Sequence, residues 1–384
     1  MSIETTLVTS ASQFNALRDD WHDLLSRSPS NNIFLTWEWL FPWWQIYGRD
    51  AALRLVLAYE NNRLCGIAPL YRSAMYLGPA RFRTLEFLGA RHVASEYLDF
   101  IAEGDDYPRI VNALLAALRQ DRDWDVLLGF HAPAESPTFQ VLPDRAQAYA
   151  WAQTCLTESL YVTAPDWKTY VSRLGHSTRR NVRSHRKRAV HDLRAILLDT
   201  RAGIRNQLRD LIVLHQTRMR ELGFPGSYAS PRFVVFHEQV ADLFEQRGWG
   251  WMFSLRSNGT TIAANYGFQY DGSFYGYSMG FDPGFRSYSI GFVLFSHLLE
   301  RCINDGLTVD FMGPGQHKEL WKPARRVKVS YVLGSSPRSF AAYTMMAAAR
   351  SFIVRTVKRL VPERAVVRGA RLMDSMAARL AAGF

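Results

Sequence analysis

The sequence predicts an α+β fold with mixed sheets, built as two successive halves and followed by a helical extension. Three observations predict it. Hairpin signals at Asn258-Gly259 and Asp271-Gly272 tie three strands together in the second half. A strand–turn–helix–strand run follows them, from Ser273 to Phe311. A looser version of the same order occupies residues 1–165, with its own hairpin at Asn61-Asn62.

Glu4–Val8 alternates as a strand, and Phe14, Leu17, Trp21, Leu24 and Leu25 give Ala11–Ser26 helical spacing. Thr36 is placed to cap an aromatic helix, WEWLFPWWQIYG, that stops at Gly48. Strands are expected at Leu53–Tyr59, Leu64–Tyr71, Phe82–Leu88 and Tyr97–Ile101. Helix Pro108–Leu118, strand Trp124–Phe130, helix Ser136–Ala148 and strand Ala152–Val162 close the first half. Asp166–Leu174 reads as a helix, then comes the basic segment HSTRRNVRSHRKRAV and a strand at Leu193–Leu198. Helices Ile204–Leu222 and Pro231–Arg247 precede strands Gly250–Arg256, Thr260–Tyr270 and Ser273–Phe281. Helix Ser289–Asp305, strand Leu307–Phe311, the loop GPGQH and strand Lys328–Leu333 complete the second half. The expected division is 1–165, 166–337 and 338–384. The last part is rich in Ala, Arg and Met, is interrupted at Pro362, and reads as peripheral amphipathic helices packed on the body, on a partner or on a membrane surface.

With 384 residues the chain is long enough for two domains. Its formal net charge of +11 suits an anionic partner, whether nucleotide cofactor, nucleic acid or inner-leaflet surface, and also suits solubility alone. Cys65, Cys155 and Cys302 lie far apart without a CxxC pair, which argues against a zinc ribbon and a disulfide framework. No metal is expected. The N-terminus lacks a basic-then-apolar leader, and no run of about 18 apolar residues occurs. The expectation is a cytoplasmic protein, with the inner membrane as a peripheral contact through the tail.

The chemistry concentrates in FDPGFRSYSIGFVLF. A helix entered near Ile290 leaves N–H groups unpaired at its positive end, a natural anion site. Arg286, Ser287, Tyr288, Ser289 and Gly291 surround that entry. The alternative is plain structure: Ser289 as an N-cap and Gly291 as a packing residue. Tyr275 and Tyr277 alternate on the strand before the turn, where they line a pantetheine-like arm or pack in a core. Tyr275 or Tyr277 is a candidate proton donor to a leaving thiolate, with Tyr277 assigned the catalytic role. In VDFMGPGQHKELW, Asp310 is a candidate base, His317 a candidate proton carrier, and Lys318 and Trp321 candidate substrate contacts. Capping for Asp310 and solvent exposure for His317 are the structural alternatives. Trp37, Trp39, Trp43 and Trp44 read as core packing, with a sugar platform as the alternative.

Taken together, FLTWEWLFPWW, CGIAPLY, LGARHVASEYLDFI, HSTRRNVRSHRKR, GFDPGFRSYSIGFVLF and VDFMGPGQHKELWK resemble the CelD-like or BioF2-like acetyltransferases. That branch of the GNAT superfamily is related to the FemABX peptidyltransferases. The family carries Tyr where this chain has His317. The resemblance implies two tandem GNAT-like domains and acyl-CoA (acetyl or longer) held at Arg286–Gly291. It also implies an acceptor cleft between the halves, with Glu96, Tyr97 and Asp99 facing Asp310–Trp321. The acyl group would pass directly to an amine or hydroxyl of a small molecule or an envelope polysaccharide precursor. No cysteine here sits in an activating motif, and no GxSxG is present. Two other readings stay open: a FemABX-like transferase using aminoacyl-tRNA, and a non-catalytic accessory protein of polysaccharide assembly.

Overall fold

The structure is a computed structural model and describes residues 2–144 and 150–360. The first half runs β1 (Glu4–Val8), α1 (Ala11–Ala16), α2 (Arg18–Ser26), α3 (Trp37–Tyr47), β2 (Ala52–Glu60), β3 (Arg63–Leu77) and β4 (Ala80–Phe87). It continues through β5 (Ile101–Ala102), α4 (Tyr107–Gln120), β6 (Val126–Pro133), α5 (Thr138–Asp144) and β7 (Trp151–Val162). The second half runs α6 (Trp167–Arg173), α7 (His176–Leu193), β8 (Ile196–Thr200), α8 (Ile204–Glu221), α9 (Pro231–Gln246), β9 (Gly250–Ser257), β10 (Thr260–Tyr270) and β11 (Ser273–Phe281). It ends with α10 (Ile290–Asn304), β12 (Thr308–Asp310), α11 (Gln316–Glu319), β13 (Ala324–Gly334) and α12 (Pro337–Leu360).

The hairpins form where the turn residues accept left-handed backbone. Asn61 and Asn62 take φ of 49° and 61°, and Asn258 and Asp271 take 50° and 44°, each followed by a glycine of positive φ. Both halves share one sheet of order β1-β2-β3-β4-β6-β13-β7-β12-β11-β10-β9-β8, with β5 beside β3. Within it β4 lies parallel to β6, and β11 parallel to β12. The last strand of each half lies beside the other half. β7 pairs with β12 of the second half, and β13 pairs with β6 of the first, while β7 and β13 pair with each other from Tyr161↔Ala324 to Trp151↔Leu333.

Several elements differ from the sequence pattern. The helix expected over 11–26 breaks at Leu17, which caps α1 and starts α2. Of the strand expected over 97–101, Ile101 alone pairs with β3, because Tyr97 adopts φ of 59° and cannot extend. β13 starts at Ala324, four residues before the expected Lys328. The part of the expected 136–148 helix after residue 144, and the extension from residue 361 onward including Pro362, lie outside the described residues.

Helix α3 buries Trp37, Trp39 and Trp43. Trp39 packs on Phe236, Phe244, Phe268 and Tyr277 of the second half, so this aromatic helix joins the two halves through a common core. The same helix carries Glu38, fully buried, whose Oε1 accepts from Arg18 (3.0 Å), His22 (2.9 Å) and Arg247 just past α9 (2.9 Å). Burial alone would raise the Glu38 pKa, but the bonds from His22, Arg247 and Arg18 outweigh it and hold the carboxyl down at about 2. At the other end, α12 packs Phe340 and Tyr343 against Val126, Leu128 and Val332. Among the described residues, no helix is long and apolar enough to cross a membrane.

Glu38→Gln leaves Arg18, Arg247 and the His22 ring facing a neutral amide. Removing one partner of a buried ion pair is strongly destabilising, and these partners keep partial solvent contact, so a loss of about 2–3 kcal/mol is expected. A depressed carboxylate contributes stability above its unfolded pKa and loses it as pH falls through the folded value. Urea unfolding should therefore show a constant gap between wild type and variant above about pH 5 that closes toward pH 2.

Candidate active site at the seam between the halves

Between β4 and β5 the chain forms a loop whose residues include Glu96 and Tyr97. Side chains of both halves pin it. The Trp39 indole N–H donates to Ser95 Oγ (2.8 Å), the Trp43 indole to Arg91 O (2.9 Å), and the Tyr277 hydroxyl to Val93 O (2.5 Å). Asn32 Nδ2 donates to Tyr97 O (3.0 Å), and Tyr97 N–H to His131 O (3.1 Å). His92, Ala94, Tyr97 and His131 all hold positive φ, of 74°, 47°, 59° and 56°. Left-handed non-glycine residues cost energy and concentrate at functional sites.

The loop meets the second half in two adjoining ion clusters. In the first, the Tyr97 hydroxyl donates to Asp310 Oδ2 (2.5 Å) and the Met312 N–H to Asp310 Oδ1 (2.7 Å). The Arg326 guanidinium lies 3.7 Å from Oδ2 and over the rings of Tyr97 and Tyr161. In the second, Lys328 Nζ donates to Glu96 Oε2 at 2.6 Å, with His131 Nδ1 3.1 Å from the same oxygen. Arg326 and Lys328 are two apart on β13 and therefore share a face. The two carboxylates are driven apart. Burial raises the Asp310 pKa against the opposing bonds from Tyr97 and Met312. Burial also pushes Glu96 up, but His131 and Lys328 prevail and hold it below its ordinary value. Such opposed environments set up one group to take a proton and another to keep a charge. Lys318 Nζ donates to Phe311 O (2.8 Å) and Gly313 O (2.7 Å), tying down the loop after Asp310.

Beside this centre, β11 and β12 run together only from Ser273↔Thr308 to Tyr275↔Asp310. β12 stops there, while β11 continues to Phe281. A 3-10 turn over Pro283–Tyr288 follows, with Asp282 Oδ1 accepting from Gly284 N–H (2.8 Å). Ser289 has φ of 53° and makes no side-chain cap to α10. The first-turn N–H groups of Ile290, Gly291 and Phe292 therefore have no protein acceptor among the described residues. Cations crowd this opening. Arg218 lies over Phe281, and its pKa is lowered by burial and then by the charge of Arg286. The His317 pKa is lowered by partial burial of its ring, then by the charges of Lys318 and Arg218. Arg286 bonds Glu221 at 2.9 Å, and Arg188 lies over Tyr288. Ser287 is exposed and Ser289 half-buried. A Cβ at Gly291 would stand 3.1 Å from Met279 Cε and from Phe281 Cδ1, so this residue also lets α10 pack closely on β11.

The structure thus brings Glu96, Tyr97, Asp310 and Lys318 to the seam, with Tyr275 opposite Asp310 on the neighbouring strand. It keeps Arg286–Gly291 together at the end of β11. A cavity of about 350 Å³ adjoins the seam, lined by Asn31, Tyr97, Asp99, Glu135, Tyr275 and Arg326 among others. Asp99 is buried among the Ser136 and Thr138 hydroxyls and the Phe100 N–H, and burial raises its carboxyl to about 6. Tyr277 spends its proton on Val93 O and lies 3.1 Å from His237 Nε2. Trp321 is buried away from the cavity, stacked on Phe292 at 4.8 Å, with its carbonyl accepting from the Tyr170 hydroxyl. Arg218, His131, Arg326 and Lys328 escaped the sequence reading. Of these, Arg326 and Lys328 alone left a legible signal, two cations alternating on a face of the late strand.

Residues 176–322 match a family described as an acetyltransferase (GNAT) domain. No curated protein matches the chain. Among solved structures, FemX is similar with a TM-score of 0.60 and 10% identity, covering 86% of this chain and 96% of that one. L-PGS from Bacillus licheniformis is similar with a TM-score of 0.50 and 14% identity, covering 88% and 96%. The chain has a GNAT-like mixed α/β fold with a helical C-terminal region.

Tyr97→Phe removes a bond made to the charged form of Asp310. The Asp310 pKa should then rise further, seen as an upward shift of its carboxyl 13C titration. An unmoved midpoint would show that the hydroxyl does not tune this carboxylate.

Proposed function

We propose that the protein transfers an acyl group directly from acyl-CoA to an amine or hydroxyl, within a cleft at the seam. The observation that carries this reading is the open start of α10. Its unpaired N–H groups and the cations Arg218 and Arg286 stand at one end of the gap between β11 and β12, and Asp310 stands at the other. Donors and positive charge of this kind fit a diphosphate. The N–H groups of Ile290–Phe292, with Arg286, Ser287, Tyr288 and Ser289, would hold it, and Tyr275 would line the arm.

Acyl-CoA supplies an activated thioester carbonyl. Asp310, with its proton affinity raised by burial, takes the proton that the acceptor loses, and Tyr97 and the Met312 N–H fix its orientation. The acyl carbon exchanges its bond to sulfur for one to nitrogen or oxygen, and the proton held by Asp310 is passed by His317, the rim group, to the departing thiolate, which leaves as the thiol. Tyr277, its hydroxyl committed to Val93 O, acts by holding the loop that presents Tyr97. Glu96, Asp99 and the 350 Å³ cavity receive the acceptor, and Lys318 and Trp321 steady the adjoining loop and helix. We read the acceptor as a small molecule or a polysaccharide precursor, and the setting as cytoplasmic, in keeping with the CelD-like resemblance.

A second reading, an aminoacyl-tRNA donor, is favoured by the exposed cations of α7 and by the likeness to FemX. It predicts protein that retains tRNA at low salt and loses it steeply as salt rises.

Isothermal titration should show binding of acetyl-CoA or a longer acyl-CoA, weakened at least tenfold by the double charge reversal R218E/R286E. No binding by any acyl-CoA up to millimolar concentration contradicts the proposal. In a coupled assay with a competent acceptor, Asp310→Asn should lower kcat by about 10²–10⁴ while KM for acyl-CoA stays within a few-fold.

A further inference from the structure

Helix α7 carries Arg179, Arg180, Arg183, Arg186, Lys187 and Arg188, and Asp192 is its one carboxylate. Its first turn has no acidic residue and its Gly175 cap offers no side chain. Arg179 and Arg180 therefore stand at the end where the helix dipole is already positive. Arg180, Arg183 and Lys187 follow a spacing of three and four, so they form one straight stripe, and all three are exposed. Like charges so spaced work against the helix by a few tenths of a kcal/mol per pair.

The stripe borders a groove between α6 and α7 of about 930 Å³. Its lining holds six cations, Lys168, Arg179, Arg180, Arg183, Arg186 and Lys187, and no carboxylate. Two of these are engaged. Arg186 bonds Glu300 and Ser296 Oγ and lies over Trp167, and Arg179 donates to Ser172 O at 2.7 Å. Lys168, Arg180, Arg183 and Lys187 make no ion pair among the described residues, whereas Arg54, Arg83, Arg205 and Arg325 each pair with two carboxylates.

We propose that this groove is a second anion site, separate from the α10 turn, for a small ligand carrying two or more phosphate groups. Several unpaired cations along one line match a ligand with several negative charges better than a single ion. The volume lies in the range of small-ligand pockets. A concave site does not fit a flat bilayer, and Trp167, the one aromatic residue lining the groove, already has a face covered by Arg186, which leaves no run of aromatics for stacking bases.

The test is isothermal titration of the full chain with inorganic diphosphate at low salt, comparing wild type with R180Q/R183Q/K187Q. The triple variant should lose one diphosphate equivalent, or bind it at least tenfold more weakly, with acetyl-CoA affinity unchanged within twofold. If the α10 turn also binds diphosphate the stoichiometry falls from two to one; if it does not, from one to none, so the two sites fail separately. The melting temperature of the triple variant should equal or exceed that of wild type, because mutual repulsion is removed. Equal diphosphate binding by both proteins overturns the proposal. So does a loss confined to an oligoribonucleotide, or to vesicles containing phosphatidylglycerol, with no diphosphate binding by either protein.

Discussion

The exchange of closing strands is the constraint on which the centre of this molecule depends. Because β13 leaves the second half and pairs with β6, Arg326 and Lys328 arrive beside the loop of the first half that holds Glu96 and Tyr97. Because β7 makes the reciprocal crossing, Tyr161 stands opposite Asp310. Neither half alone contains the charged centre. Each carboxylate is balanced by a cation or hydroxyl that the other half's strands or loops deliver, and a buried carboxylate without such a partner is costly. The ion clusters and the continuous sheet are therefore one feature.

The two halves use a shared layout differently. In each, a parallel strand pair holds for three residues and then ends, β4 with β6 and β11 with β12. In the first half this place holds a buried ion pair beside a cavity lined by Arg91, Leu128, Phe130 and Tyr343. Buried Glu86 accepts from Arg91 and from Tyr71, and α12 lays Tyr343 against Phe82 nearby. A looping segment, rather than a helix start, follows β4. In the second half the strand runs into α10 with its first amides unpaired and arginines around them.

Much of this was legible in the residues, for local reasons. Asn-Gly and Asp-Gly dipeptides dictate tight turns and Asn-Asn tolerates the same left-handed backbone, so the β9–β11 meander and the β2–β3 hairpin followed directly. The turn at Arg286–Gly291 and the strand end at Asp310 were readable because each is a short contiguous motif. What stayed hidden depends on long-range pairing. Nothing in Trp151–Val162 says that it will lie beside Ala324–Gly334, since both merely alternate as strands do. Tyr97 looked like part of a strand because its left-handed φ is imposed by hydrogen bonds from Asn32 and to His131, residues distant in sequence. His131 and Lys328 gave no signal alone; each gains meaning only against Glu96. Trp321 looked like a rim residue but is a wedge beneath α10.

The most direct measurement is a crystal structure of the full chain grown with acetyl-CoA or CoA. Diphosphate density is expected against the N–H groups of Ile290, Gly291 and Phe292, with the sulfur end directed along β11 toward Asp310 and Tyr97. Nucleotide bound elsewhere, with the α10 turn and the Asp310 carboxylate both untouched, would contradict it.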